Sequence, residues 1–353
     1  MTESPNRPLR YADAGVDIAA AEATVRRYAD VARRSSRPEV LSSVGGFAGL
    51  FRLGDRFRDP VLVAATDGVG TKVLLEATLG RFETAGRDVV NNNVNDLITT
   101  GAEPLFFLDY LATADIPQAR RVEIVEGIGA ACRENGMALL GGETADMPDV
   151  YRSGDFDLAG FVVGVVERDS VIDGSRLAAG DALIALPSGG LQTNGFSLVR
   201  EIWGLGKGLG EGHDRGVLET EYEELGGTLG DALVAEHRSF YPALRELLPR
   251  LHGIAHITGG GIPGNLPRIF PETLAAAIER GSWAVPPVFD LIQRTGSVEE
   301  SEMFRTFNMG AGMILAVAEP DAAAVLEALP SGAWRIGGVV ARGDGPAMRG
   351  LTG

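Results

Sequence analysis

Three short stretches carry residue types suited to chemistry on a phosphorylated small molecule. Thr66-Asp67-Gly68-Val69-Gly70-Thr71-Lys72 follows the apolar run Pro60-Val61-Leu62-Val63-Ala64-Ala65. A carboxylate at Asp67 can hold Mg2+, which keeps several waters and binds nucleotide phosphates through one or two carboxylates. Gly68 and Gly70 let backbone N–H groups approach an anion, and Lys72 offers a point charge for phosphate. The plain alternative is an ordinary Asp-Gly turn with a surface lysine. The spacing is not that of a Walker A loop, which ends in Lys-Ser or Lys-Thr. The second stretch, Asn91-Asn92-Asn93-Val94-Asn95-Asp96, sits in a helical pattern although asparagine and aspartate are poor helix formers. Asn93 and Asp96 are three apart and share one helix face, able to project an amide and a carboxylate into a pocket. The third, Gly141-Gly142-Glu143-Thr144-Ala145-Asp146, again sets carboxylates beyond glycines at a strand end. The reading is a metal site shared by these clusters, with acidic turns on an acidic protein as the alternative.

Two glycine turns in the second half, residues 188–195 and 258–265, each follow an extended apolar run. The first leads into a helix, whose N-terminus attracts anions, so substrate phosphate fits there. His252 and His256 are four apart with Gly253 between them, which does not read as a zinc site. No Gly-x-Ser-x-Gly elbow is present and Cys132 lies on an apolar helix, so serine or cysteine nucleophilic catalysis has no support.

These stretches need a scaffold of alternating strands and helices. Apolar runs read as strands at 60–65, 104–110, 137–140, 156–166, 181–186, 252–258 and 309–318, and helices at 18–34, 87–100, 116–135, 196–203 and 231–251. The class is mixed α and β with a boundary near residue 170, giving domains 1–169 and 170–345. The glycine-bearing stretch 42–49 reads as a mobile loop, 204–216 as an exposed one, and residues 1–10 as a polar arm. A chain of 353 residues with a formal charge of −16 lacks the basic surface that broad nucleic-acid binding requires. Lysine occurs only at Lys72 and Lys207, so lysine chemistry has few candidates. A lone cysteine, no export signal and no apolar run long enough to span a bilayer point to the cytoplasm and away from a membrane.

Several stretches resemble the phosphoribosylformylglycinamidine cyclo-ligase family in order and spacing. They include Tyr11-Ala12-Asp13-Ala14-Gly15-Val16-Asp17, residues 67–72, Val94-Asn95-Asp96, residues 101–110 and 141–147, Asn194-Gly195-Phe196-Ser197-Leu198-Val199-Arg200, and residues 256–261 and 303–313. The resemblance covers nearly the whole chain. It implies a homodimer that uses ATP and Mg2+, each chain having an N-terminal α/β domain with a barrel-like dimer interface and a C-terminal α/β domain. The implied reaction phosphorylates the formyl amide oxygen of formylglycinamidine ribonucleotide. The amidine nitrogen then attacks the iminophosphate, and aminoimidazole ribonucleotide forms. The implied roles make Asp67, Asp96 and Glu143 metal or metal-water ligands and Lys72 a phosphate contact. Gly45, Gly46 and Gly49 close over ATP, with Gly68, Gly70 and Asn93 also on the nucleotide side, and Asn194, Gly259, Gly260 and Asn308 line the substrate. Two positions depart from the pattern. Gln192 stands where the family has histidine, and Glu236-His237-Arg238 replaces a usual Pro-Thr-Arg or Pro-Thr-Lys. An amide does not titrate near neutral pH, so Gln192 is expected to bind rather than to transfer protons. A nucleotide-binding paralogue with altered catalysis is the alternative these departures leave open.

Overall fold

The computed structural model describes residues 18–42, 44–207 and 212–351. The polar arm, the 11–17 stretch, Ser43 of the glycine loop and residues 208–211 of the second loop lie outside the described residues. The first half runs α1 (Ile18–Arg34), β1 (Pro60–Gly68), α2 (Lys72–Leu79), α3 (Phe82–Ile98), β2 (Glu103–Thr113), α4 (Gln118–Glu134), β3 (Ala138–Asp146) and β4 (Phe156–Glu167). Its four strands lie in the order β1-β4-β2-β3. β4 is antiparallel to both neighbours, and β2 and β3 are parallel with α4 as their crossover. Val89, Val90, Val94 and Leu97 of α3 are buried in one core with Phe107, Leu158 and Val162 of the sheet. That apolar stripe makes a helix of a stretch so rich in asparagine.

The second half runs β5 (Ala182–Pro187), α5 (Phe196–Trp203), α6 (His213–Leu218), β6 (Glu221–Tyr222), β7 (Gly227–Thr228), α7 (Leu229–Leu233), α8 (Tyr241–Leu244), β8 (Leu251–His256) and α9 (Gly261–Asn265). It continues with β9 (Leu274–Ile278), α10 (Pro287–Gly296), α11 (Glu300–Thr306), β10 (Ala311–Val317), α12 (Glu319–Ala328), β11 (Trp334–Ala341) and β12 (Met348–Arg349). Six strands form a second sheet in the order β12-β9-β11-β5-β10-β8. Every residue of β10 is buried, and its neighbours on both sides explain the unbroken apolar run. No helix among the described residues is long and apolar enough to cross a membrane.

Two expectations about elements change. The helix read at 231–251 is broken: α7 ends at Leu233, residues 235–240 have no regular structure, and only α8 and a short 3-10 turn at Leu248–Arg250 follow. Side chains of α3 claim the backbone of this segment, described below, and a helix would withdraw those groups. The glycines at 141 and 142 do not end β3; it runs through them to Asp146, so Glu143 lies within the strand. A side chain at Gly142 would collide with Asp109 of β2, which is why the strand needs glycine there.

Helices α3 and α4 meet backbone to backbone. A Cβ at Gly86 would strike the Ile124 carbonyl, and one at Gly127 would strike the Glu83 carbonyl, neither of which is a flexible group. Gly127→Ala is therefore expected to lower stability by about 3 kcal/mol, the upper range for overpacking. A urea midpoint equal to the parent's would show that the two helices separate freely.

Candidate active site at the seam between the two sheets

The asparagine run on α3 has two faces with separate tasks. Asp88, Asn91 and Asn95 point to the segment of residues 235–240 from the second half. Asp88 Oδ1 accepts from His237 N at 2.8 Å, Asn91 Nδ2 donates to His237 O at 2.8 Å, and Asn95 Nδ2 donates to Arg238 O at 2.8 Å. Asn95 Oδ1 accepts from Phe240 N at 3.0 Å. Asn92 and Asn93 point to the first sheet: Asn92 Nδ2 donates to Asp67 Oδ2 at 2.9 Å, and Asn93 Nδ2 to Asp67 O at 3.1 Å. Asn93, expected on the nucleotide side, is fully buried and also bonds Val89 O, so it fastens α3 to β1 instead.

Lys72 requires a correction. It is wholly buried, ion-paired to Asp88, 3.7 Å from Glu76 Oε1, and donates to Ala235 O at 2.7 Å. Its ammonium is committed inside the protein and is not a surface phosphate contact. With two carboxyls to one ammonium, Glu76 keeps its proton: burial, then the charge of Asp88, pushes its pKa well above the ordinary carboxyl range. A buried unpaired carboxylate would cost more than protonation.

Two cavities hold most of the expected site residues, the smaller at this seam and the larger within the first half. One, of about 550 Å3, is lined from the first half by Asp67, Asp96, Thr99 and Thr100, and from the second by Asp173, His256, Thr258, Asn265 and Arg268. Across it His256 Nδ1 lies 2.8 Å from Asp96 Oδ1. The other, of about 990 Å3, is lined by residues 44–49, Tyr28, Asp109, Arg121, Glu143, Asp146 and Phe161. Asp67 and Asp96 thus share a cavity, while Glu143 stands in the other beside Gly45, Gly46 and Gly49. The strand registers explain the separation. Asp67, Gly160, Asp109 and Gly142 form one row across the four strands, so Asp67 and Gly142 are three strand steps apart, on the order of 14 Å. One ion cannot be shared by Asp67 and Glu143 of the same chain, and no group of three or more potential ligands gathers among the described residues.

The remaining expected residues divide. Asp67 is exposed and its Oδ1 accepts from Gly68 N at 2.7 Å, while Gly70 turns the chain with φ of 70°. Asn194 Oδ1 lies against Gly259, beside the turn that Thr258 brings to the smaller cavity, and Gly260 has φ of 99°. Gln192 and Asn308 are buried and line neither cavity. Asn308 donates to Gly190 O and Leu191 O and accepts from Gly310 N, so its amide holds the 188–192 turn. Gln192 has φ of 62°, and neither side-chain polar atom has a partner. Residue typing missed Asp109 and the Asp96–His256 pair. The signal for His256 was its place at the end of a strand, directly before the glycine turn; Asp109 lay inside an apolar run.

The two-domain mixed α/β architecture and this seam place the chain in a known class. The model described as AIR synthase related protein, N-terminal domain, matches residues 47–166, and its C-terminal counterpart matches residues 178–348. The chain belongs to the AIR synthase related family, and within it to the phosphoribosylformylglycinamidine cyclo-ligases. Relatives of that name from Methylobacillus flagellatus and Sorangium cellulosum are 44% identical over 350 residues and 46% identical over 345. The first alignment covers 98% of each chain, the second 96% of this one and 97% of the relative. The fold is shared with thiamine-monophosphate kinase from Stenotrophomonas maltophilia, with a TM-score of 0.64 and 19% identity over 92% of this chain and 96% of that one. It is shared too with a hydrogenase maturation protein HypE crystallised with ATP, with a TM-score of 0.61 and 19% identity over 88% and 84%.

Burial pushes the Asp109 carboxyl up to about 7; its own backbone N–H opposes this and the Glu143 charge adds to it. A carboxyl that binds its proton more tightly when folded costs stability as pH rises from its unfolded pKa of about 4 towards about 7. Asp109→Asn should therefore raise Tm by a margin that grows from pH 5 to pH 8, to about 5 °C. Calorimetry showing the same margin at both ends would rule out titration as the cause.

Proposed function

We propose that the protein closes the imidazole ring of aminoimidazole ribonucleotide from formylglycinamidine ribonucleotide, using ATP, with the smaller cavity as the seat of ring closure. The observation that supports this most is that Asp67 and Asp96 from the first half meet His256, Thr258 and Arg268 from the second in one cavity. Asp67 and Asp96, with no thiolate lining the cavity, are a donor set suited to Mg2+, whose other positions go to phosphate oxygens and water. Bound there, the ion would offset charge on the transferring phosphoryl group. Arg268 adds a fixed cation to the same wall. His256 Nδ1 lies 2.8 Å from Asp96 Oδ1, which holds the ring between the two halves, and its Nε2 is buried without a protein partner. Ring closure makes a proton available when the amidine nitrogen bonds to the formyl carbon and phosphate departs, and the Asp96–His256 pair stands in the wall of the cavity where it is released. In this reading residues 44–49 cover the nucleotide in the larger cavity, and Glu143 serves there rather than beside Asp67. The chain divides at residues 1–169 and 170–345.

The same reading includes a dimer. Thr66, Phe161 and Leu108 are register partners across β1, β4 and β2, as are Ala64, Val163 and Phe106. This is the face away from α3, where Phe161 is 44% and Leu62 65% exposed. An apolar sheet face of that kind is suited to the matching face of a second copy in a barrel-like interface.

A coupled assay with Mg·ATP and formylglycinamidine ribonucleotide should give ADP and aminoimidazole ribonucleotide in equal amounts. Asp67→Asn should raise the Mg2+ needed for half-maximal rate by about tenfold or more; full turnover at limiting Mg2+ would remove Asp67 as a ligand. ADP without the imidazole product would mean a different acceptor, and neither product would favour a non-catalytic paralogue. For the interface, light scattering should report twice the 37.1 kDa chain mass, and Phe161→Arg should yield the single-chain mass. A Phe161→Arg protein that stays double would place the contact elsewhere.

A further inference from the structure

His237 is enclosed completely, in the segment of residues 235–240 that crosses α3. Its backbone is held on both sides, N–H by Asp88 and C=O by Asn91, and the Lys72 ammonium grips the Ala235 carbonyl two residues upstream. The ring stands between Asn95 Nδ2, 3.0 Å from Nε2, and Thr193 Oγ1, 3.2 Å from Nδ1. The tautomer follows from Asn95. Its oxygen accepts from Phe240 N and its nitrogen donates to Arg238 O, so the amide cannot be flipped and presents N–H to the ring. Nε2 is then the acceptor, the proton sits on Nδ1, and Thr193 Oγ1 accepts it.

Burial, then the nearby His256 and Lys72 charges, pulls the His237 pKa well below its ordinary value, so the ring stays neutral. It is therefore unsuited to shuttling protons and well suited to holding one hydrogen bond. Both of its outer neighbours lead to the smaller cavity. Thr193 precedes Asn194, which lies against Gly259 in the turn that Thr258 brings to the cavity wall. On the other side, the ring meets His256 edge to face, with centroids 5.4 Å apart, and His256 is bonded to Asp96.

We propose that His237 is a positioning residue for ring closure: as an Nδ1–H donor it fixes Thr193 and backs the Asp96–His256 pair, joining the two walls of the cavity through one side chain. This rests on the assignment of that cavity to ring closure. Because the ring makes both connections, its loss disturbs ribonucleotide binding while leaving the nucleotide loop at residues 44–49 untouched.

Two substitutions separate positioning from packing. In His237→Asn the amide N–H takes the place of Nδ1–H and keeps the bond to Thr193; in His237→Gln the amide reaches Asn95 and that bond is lost. The Gln variant should raise KM for the ribonucleotide by about tenfold, the scale of one buried hydrogen bond, with KM for ATP unchanged. The Asn variant should restore most of it at a similar Tm, and Thr193→Val should add nothing to His237→Gln. Equal losses in both variants that track Tm, or additive losses in the double variant, would overturn the proposal. A wild-type protein that forms no imidazole product would count against the assigned reaction instead. The positioning is then read without turnover from imidazole 15N shifts. His237 should show the Nδ1–H tautomer throughout about pH 6 to 8, and the His256 shift should move in the Gln variant and not in the Asn variant. An Nε2–H tautomer at His237, or a His256 unmoved by both, would sink the proposal whatever the turnover.

Discussion

The two halves of this protein are joined by a polar contact inside an otherwise apolar interior: α3 of the first half grips residues 235–240 of the second. An unstructured segment crossing a core leaves its N–H and C=O groups without helix or strand partners, and each unpaired group would cost on the order of 1–3 kcal/mol. Asp88, Asn91 and Asn95 meet that need one group at a time, and the buried Lys72 ties Asp88 to the carbonyl of Ala235. Such a network is costly when partly made and rigid when complete, so it admits one arrangement of the two sheets rather than a family of them.

The smaller cavity inherits its geometry from that arrangement. One turn further along α3, Asp96 faces His256, the last residue of β8, and the neighbouring Asn92 and Asn93 hold the strand that bears Asp67. The same helix therefore sets the position of a carboxylate on β1, carries another itself, and grips the segment that brings His237 against His256. Close approach makes this possible. Gly86 and Gly127 allow α4 to press on α3 from behind, and Gly160 keeps the row between Asp67 and Asp109 free of side chains.

Much of the fold was legible because its signals are local. The run 60–65 became β1, the pattern at 156–166 became β4, and residues 196–203 formed α5 as read. The reading failed where a distant part of the chain altered a local preference. The stretch 231–251 has helical periodicity, yet α3 claims its middle. Gly141 and Gly142 look like a strand end, yet they permit β3 to pass Asp109. Lys72 stands in a stretch that reads as a phosphate loop, yet two carboxyls four and sixteen residues further along the chain, Glu76 and Asp88, enclose it.

The sequence by itself determined the family, the alternation of strands and helices, and Asp67, Asp96 and Glu143 as candidate carboxylates, because periodicity, turn chemistry and motif spacing are properties of neighbouring residues. Only the tertiary structure decided which of those carboxylates meet. Asp67 and Asp96 are 29 positions apart in the chain and share a cavity, whereas Glu143 is carried three strands away by the order β1-β4-β2-β3. It also decided that Asn91 and Asn95 of α3 hold the second half while Asn92 and Asn93 hold β1, and that Gln192 and Asn308 are interior. The physical reason is the same in each case: strand order and domain docking are fixed by burial and hydrogen-bond satisfaction summed over the whole chain, and no short stretch contains that sum.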